Sequence, residues 1–503
     1  MTTGTRRNLA AIARAADWDA ELAECEEEDA ARMRGGMTTL AKTLADGKPV
    51  YGVTNGFGPL VAFPAAESAQ EQGSGLIAHL ATAQGSPLPP DVCRLVVWLR
   101  LSGMRLGHSA VSPEFWSLLA KLWNSGFTPA IPRDGTVSAS GDLQPLASAA
   151  LAFSGSGEAW VRDDAGAWVC LPAERALEAV GAEPVEWSAR EALAFVNGTG
   201  VSLALTIDNH RQLSRLVRAS ALLTGRMARL LGADPQAYHH GIGEVRGQHG
   251  QIRVARWIRS QFPEGAERGP GRPLQEPYSL RCAPQVLGAV QDRLDAEEEI
   301  LVREAGGTTD NPVCYEGEVL HGGNFHAMPV GLCSDQLGLC LQQVAYLADR
   351  QLALLCASET NGGLPPMLTP RPGAGSGLAG VQVSATSFVS RIRQLVVPAS
   401  LTSLPCNNGN QDHVPMALNG ANAVAEALGH AWLVIGSLGV GLAQYAALVG
   451  QEAEPDSLWA ELAEISPPLD RDRPLAAEVR AARDAIAAAA RRWVDGTDED
   501  QER

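Results

Sequence analysis

Ala139-Ser140-Gly141 is a short stretch whose residue types could turn the backbone itself into a reagent. In a tightly pinched turn, the Gly141 amide nitrogen can attack the Ala139 carbonyl two residues earlier. That geometry needs small side chains and a glycine nucleophile. Loss of water from the new ring and from Ser140 would leave an electrophilic dehydro-imidazolone. Taken alone the tripeptide is equally a plain turn, so the residues permit this chemistry without demanding it. Other chemical signals are weaker. Gly375-Ser-Gly377-Leu-Ala-Gly380 has dinucleotide-fingerprint spacing, but it follows Thr369-Pro-Arg-Pro and no βαβ unit surrounds it. His239 and His240, with His249 beyond them, lack a carboxylate or cysteine at ligand spacing, and His321 and His326 likewise lack a partner set. No metal site is expected. Asn197-Gly-Thr199 is a glycosylation sequon without an evident secretory signal to use it.

The elements that must position the tripeptide follow from composition and period. The chain has 503 residues, 45% hydrophobic and 19% charged, enough apolar content for a large core. Its formal charge of −17 argues against nucleic acid or a polybasic membrane surface as partner. Nine scattered cysteines form no CxxC pair, which predicts neither a disulfide framework nor a zinc ribbon. The N-terminal stretch has no uninterrupted apolar segment, so no signal peptide is expected, and a reduced cytoplasmic protein is. Residues 1–50 read as Ala- and Glu-rich helices, 51–60 as a Gly-punctuated loop, and 76–130 as helices broken at Pro87–Pro90 and Asn124–Gly126. Residues 131–147 fit neither period. Glu158–Val161 and Ala167–Cys170 predict a hairpin turning at Asp163–Gly166.

Beyond Asn197, apolar residues recur at helical spacing over long stretches. Leu213, Leu216, Leu223, Met227 and Leu230 share one face, Val286, Val290, Leu294 and Leu301 a second, and Leu337, Leu341, Val344, Leu352 and Leu355 a third. Ala423–Leu448 is apolar nearly all round. The uncharged run Ala431–Gly450 is long enough for a membrane span, yet it carries Ser437, Gln444 and several glycines without a basic flank, so a buried helix is expected. The fold expected is mainly α: a long-helix bundle with a smaller, mixed N-terminal region carrying the tripeptide loop. Its regions would be 1–200, 201–460, and 461–503 as a final helix with an acidic tail.

SASGDLQPLA (138–147) closely resembles the prosthetic-group loop of the aromatic amino acid ammonia-lyase and aminomutase family. YGVTNGFG (51–58), ALAFVNGT (192–199), QEPYSLRCAPQ (275–285), TTDNP (308–312), GGNFHA (322–327), PASLTSLP (398–405) and NGNQDH (408–413) resemble further family blocks, in the family's order. The resemblance covers most of the chain, from residue 51 to about 416. It implies that Ala139, Ser140 and Gly141 cyclise to 4-methylidene-imidazol-5-one (MIO), with no metal or external coenzyme. It makes Tyr51 the base that removes the β-proton, for which a depressed pKa is expected. Arg281 becomes the carboxylate clamp, suited to two-point contact. Gln275 and Tyr278 line the site, Asn197 contacts the MIO carbonyl, Phe325 packs beside MIO, and Asn311 supplies a substrate-side amide. Asp142 either assists ring formation or caps a helix.

Two places bear on substrate. His79-Leu80 resembles the pair with which tyrosine ammonia-lyases meet the phenol; phenylalanine enzymes carry an apolar residue there, and histidine enzymes a displaced Ser-His. Asn407, Asn410 and Gln411 form the second. Histidine enzymes have a glutamate where Gln411 stands, so a neutral amide favours phenylalanine or tyrosine. The expected activity is elimination of ammonia from an aromatic L-amino acid, tyrosine first, giving a trans-arylacrylate such as 4-coumarate. Phenylalanine is the near alternative, and a 2,3-aminomutase would share every residue named. The resemblance also implies a homotetramer whose active sites combine loops of three subunits. Departures from the family pattern are Thr54-Asn55, Gly200, Glu276 and Gly306-Gly307.

Overall fold

The computed structural model describes residues 8–495. Beyond the first residue of the acidic tail read from the sequence, that tail lies outside the described residues. Helices dominate, as expected, and the strands are short. The chain divides into two compact units. The first is Met1–Asp208, Glu298–Asp335 and Pro398–Asn422; the second is Asn209–Glu297, Gln336–Val397 and Ala423–Arg503. These units interleave in sequence, unlike the consecutive regions 1–200, 201–460 and 461–503. Four of the boundaries fall inside the helices Gly200–Leu231, Ala283–Ala305, Met328–Cys356 and Ala417–Leu448. Helical periodicity runs on through such a boundary and gives no sign of it.

In the first unit, the early helical region is two helices, Leu9–Arg14 and Glu27–Ala45, with non-helical chain between them. The loop after Val50 closes on itself through bridges from Asn55 to Tyr51 and Pro64. Ser68 caps the helix Ala69–Leu80 by accepting from the Glu71 amide. Pro87–Pro90 ends a short strand, Gln84–Pro87, and begins the helix Pro90–Arg105, where a proline at the first turn costs no hydrogen bond. The hairpin is Glu158–Arg162 paired antiparallel with Trp168–Pro172, with Thr128–Pro129 as a third strand. Its turn forms because the Asp163 carboxylate accepts from the Ala165 and Ala167 amides, with Gly166 at positive φ. A second hairpin, Val313–Tyr315 with Glu318–Leu320, carries too few residues for a period-2 signal and was not anticipated.

The second unit has one large apolar core. Leu213, Leu216, Leu223, Met227 and Leu230 are buried in it, as are Val290 and Leu294, and Leu337, Leu341, Val344, Leu352 and Leu355; Val286 is half-buried at its edge. Leu301 is buried too, within the first unit. Among the described residues one helix, Ala417–Leu448, is long and apolar enough to cross a membrane, but 72% of its most apolar window is buried, as suits a core helix. No disulfide joins any of the nine cysteines.

Candidate active site

The tripeptide loop of the first unit is held from every side by backbone. The Met416 amide donates to the Val137 carbonyl at 3.1 Å, the Ala327 amide to the Ser138 carbonyl at 3.2 Å, the Gly141 amide to the Phe325 carbonyl at 2.9 Å, and the Asp142 amide to the Gly198 carbonyl at 2.8 Å. Two residues lie at positive φ, Ser138 at 57° and Gly141 at 71°. At Gly141 only glycine fits, because a Cβ would sit 2.3 Å from the Gly198 nitrogen. The loop is therefore a tight turn whose third tripeptide position admits no side chain. Asn197 Nδ2 donates to the Ser140 carbonyl at 2.7 Å. The other end of that amide, Asn197 Oδ1, is buried without a hydrogen-bond partner.

Asp142 occupies the N-cap position of the helix Leu143–Phe153 but makes no side-chain cap there. Its carboxylate instead accepts from Ser138 Oγ at 2.7 Å, and from the Ser202 amide and hydroxyl at 2.7 and 2.8 Å. Ser202 lies in the first turn of Gly200–Leu231, so Asp142 caps a different helix from the one it begins. Burial pushes its carboxyl above the usual range, against those hydrogen bonds.

Above the loop lies a cavity of about 1020 Å³. Tyr51, His79, Leu80, Ser140, Asn197, Asn311, Phe325, Asn407, Asn410 and Gln411 all line it, with Ala139 buried beneath. Gln411 Nε2 donates to the Ser140 hydroxyl at 2.7 Å, and Gln411 Oε1 accepts from the Cys406 thiol at 3.1 Å. Asn311 Oδ1 accepts from the Gly322 amide at 2.7 Å, which ties down the glycine-rich loop carrying Phe325. His79 Nδ1 donates to the Gly75 carbonyl at 3.1 Å, one helical turn back. In the neutral ring that leaves Nε2 as an acceptor.

The expected depressed pKa of Tyr51 is not what the single chain provides. The phenol oxygen accepts one hydrogen bond, from the Gly58 amide at 2.8 Å, and burial outweighs it, so its pKa is raised above the ordinary value. The Tyr51 amide donates to His321 Nε2 at 3.1 Å, giving that histidine a partner the sequence did not reveal. Desolvation lowers the His321 pKa, which favours the neutral acceptor form. Glu71, Gln72, Gln144, Leu193 and Cys406 also line the cavity and were missed. The spacing of Glu71, Gly75 and His79 on one helical face was the signal available for the first of them.

Gln275, Tyr278 and Arg281 belong to the second unit, where they line a depression of about 380 Å³ with Arg272, Glu276, Glu359 and Thr360. Arg272 holds Glu276 through Nε at 2.9 Å and Nη2 at 2.6 Å, a two-point contact, and donates to the Thr360 carbonyl at 2.9 Å. Glu276, one of the departures, is therefore a structural anchor. Arg281 donates from Nε to the Glu276 carbonyl at 3.0 Å and lies over the Tyr278 ring at 4.8 Å. Its terminal nitrogens have no hydrogen bond among the described residues, and Tyr278 is 72% exposed. No cluster of metal-binding side chains occurs among the described residues.

A tight glycine-containing loop thus lies under a cavity with a tyrosine and converging amides, in a helical protein. The sequence profile of the aromatic amino acid lyase family matches residues 5–465, and the chain belongs to that family. It is an enzyme of the ammonia-lyase and aminomutase kind, a family in general dependent on MIO. Among solved structures it is similar to tyrosine aminomutase from Streptomyces globisporus, at 28% identity and a TM-score of 0.86 over 96% of this chain and 97% of that one. It is similar to the phenylalanine aminomutase of Pantoea agglomerans, at 26% identity and TM-score 0.87 over 96% and 98%. It is also similar to histidine ammonia-lyase from Trypanosoma cruzi, at 25% identity and TM-score 0.86 over 98% and 94%.

Proposed function

We propose that this enzyme eliminates ammonia from an aromatic L-amino acid, tyrosine preferred, through an MIO group formed from Ala139, Ser140 and Gly141. The observation that carries the reading is the Asn197 amide, 2.7 Å from the Ser140 carbonyl, beside a Gly141 with no room for a side chain. Cyclisation joins the Gly141 nitrogen to the Ala139 carbonyl carbon with loss of one water; Ser140 loses its α-hydrogen and hydroxyl as a second. The Ser140 carbonyl becomes the ring oxygen, so Asn197 is already aimed at it. When formed, the group supplies an electrophilic carbon conjugated with that oxygen.

The chain's own residues do the rest. Tyr51 takes the β-proton, and with its pKa raised by burial it needs an added positive charge, such as the substrate's ammonium, to ionise. Phe325 covers the group, and Asn311 holds the loop that bears Phe325. Gln411 is released from Ser140 once that hydroxyl has left, so with Asn407 and Asn410 it offers the substrate a neutral amide surface. His79 Nε2 is the acceptor for a phenol O–H, which supports tyrosine over phenylalanine. Gln275, Tyr278 and Arg281 serve the cavity of a neighbouring copy in a homotetramer, where Arg281 takes the substrate carboxylate with its unused nitrogens. Nine cysteines without a disulfide suit a reducing, cytoplasmic setting.

A tyrosine 2,3-aminomutase is the second reading, favoured by the likeness to two aminomutases. It shares the elimination and re-adds the ammonia at the β-carbon. Incubation with tyrosine, phenylalanine and histidine separately, read by acrylate absorbance, ammonia release and β-amino acid analysis, decides. Coumarate and ammonia in equal amounts mark the lyase, and β-tyrosine marks the mutase. Faster turnover of histidine overturns the substrate assignment. An intact mass equal to that of the sequence, with no loss of two waters, overturns the MIO reading.

A further inference from the structure

Arg100 is a buried cation with no place in the reaction described above. It projects from the helix Pro90–Arg105 and is 4% exposed. Nε donates to the Phe195 carbonyl at 3.0 Å, Nη2 to the Asn197 carbonyl at 3.2 Å and also to the Ala194 carbonyl, and Nη1 to Thr309 Oγ1 at 3.1 Å. Three of these four acceptors are carbonyls at the end of the helix Ala189–Val196, where the last turn has no intrahelical donors and the helix dipole is negative. None of these four hydrogen bonds goes to a carboxylate. Gly198 is the layer between Arg100 and the tripeptide loop. A Cβ there would meet Arg100 Nη1 at 2.0 Å, and a Cβ on Gly141 would meet the Gly198 nitrogen at 2.3 Å. Guanidinium, Gly198 backbone and ring-forming loop are thus stacked in direct contact.

We propose that Arg100 is a positioning residue: by capping the Ala189–Val196 helix it fixes Asn197 so that the amide points at the Ser140 carbonyl oxygen. This rests on the MIO reading. That oxygen is where negative charge collects when a nucleophile adds to the conjugated electrophile, so the aim of a single donor there governs rate. A hold on three carbonyls of the helix end that carries the donor needs the planar fork of arginine; a lysine keeps the charge and loses the geometry.

The test uses Arg100→Lys, Asn197→Ala and the double variant. The readouts are intact mass, the ultraviolet band of the prosthetic group, and kcat and KM. Both single variants are expected to lower kcat about 100-fold with KM within about threefold, and to shift the band in the same direction. The double variant should lie within about threefold of Asn197→Ala alone, because the two residues act as one unit. Losses that multiply in the double variant, or an Arg100→Lys enzyme within about threefold of wild type, overturn the proposal. Failure of Arg100→Lys to lose both waters counts for it if Asn197→Ala fails likewise, and against it otherwise. Should Arg100→Lys not fold, Gly198→Ala, which keeps the arginine but forces its guanidinium aside, must give the same kcat loss and band shift; an unchanged kcat there overturns it. A wild-type mass without loss of two waters sinks the MIO reading itself, whatever Arg100 does.

Discussion

The cavity wall of the first unit and the arginine ledge of the second carry similar side chains in opposite states. In the cavity, amide donors of Asn197 and Gln411 each reach an acceptor on Ser140 at 2.7 Å, and Arg100 behind it is buried among helix-end carbonyls. On the ledge, Arg281 spends one nitrogen on the Glu276 carbonyl and Tyr278 stands 72% exposed. A buried donor such as the Asn197 amide acts at low effective dielectric, whereas the same donor in water competes with solvent. The cavity is therefore organised before any ligand arrives. The ledge stands open, which is the basis of our proposal that it serves the cavity of a neighbouring copy.

The largest effect should come from the cavity floor. Ser140→Ala removes the only hydroxyl whose loss can create the electrophile, so activity should fall by at least about a thousandfold while the protein keeps its full sequence mass. Normal turnover in that variant would end the distinction between the two regions. Next, Tyr51→Phe should cost about 10² to 10⁴ in kcat/KM. Because burial holds the Tyr51 phenol above its ordinary value, the ionised base becomes more populated only as pH rises. Activity of the wild type should accordingly climb on the alkaline side, and a pH profile flat from neutral to alkaline would remove Tyr51 as the base.

Arg281→Lys probes the ledge. If the exposed guanidinium meets the substrate carboxylate by two-point contact, KM should rise about 10- to 100-fold with kcat little changed. If the ledge serves a neighbouring copy, wild-type specific activity should also fall on dilution below the assembly's dissociation range. Activity independent of dilution in a protein that sediments as a monomer would show that the ledge serves no neighbouring copy.

How much of this was legible in the sequence follows the same divide. The long helices of the second unit were readable because burial there is apolar and periodic: Leu213 through Leu230 and Leu337 through Leu355 carry the signal in their spacing. The cavity was readable through ordered blocks, since Tyr51, Ser140, Asn197 and Gln411 come from segments with no periodicity at all. Arg100, His321 and Cys406 were invisible. What makes each of them matter is a partner 95, 270 or 5 residues away, and hydrogen-bond partners at such distances leave no pattern in a single sequence. The raised pKa of Tyr51 was missed because it depends on how much water the fold removes, which no residue type encodes. Four of the five unit boundaries left no sign because they lie within unbroken helices.

The smallest expected change lies at the far wall of the cavity. His79 keeps its Nε2 as an acceptor only because Nδ1 is tied to Gly75 one turn earlier, and its ring lies 6.3 Å from Phe57, itself edge-on to Tyr51 at 6.1 Å. His79→Phe preserves that aromatic row and removes the acceptor. Tyrosine should then lose about 1 kcal/mol of transition-state stabilisation relative to phenylalanine, roughly a fivefold to tenfold shift in relative kcat/KM, since a phenol loses a partner that benzyl never had. The comparison of the two substrates within one variant cancels any general damage to the cavity. Equal losses for tyrosine and phenylalanine would mean that the helix Ala69–Leu80 only shapes the wall, and that the hydroxyl of the substrate is read elsewhere.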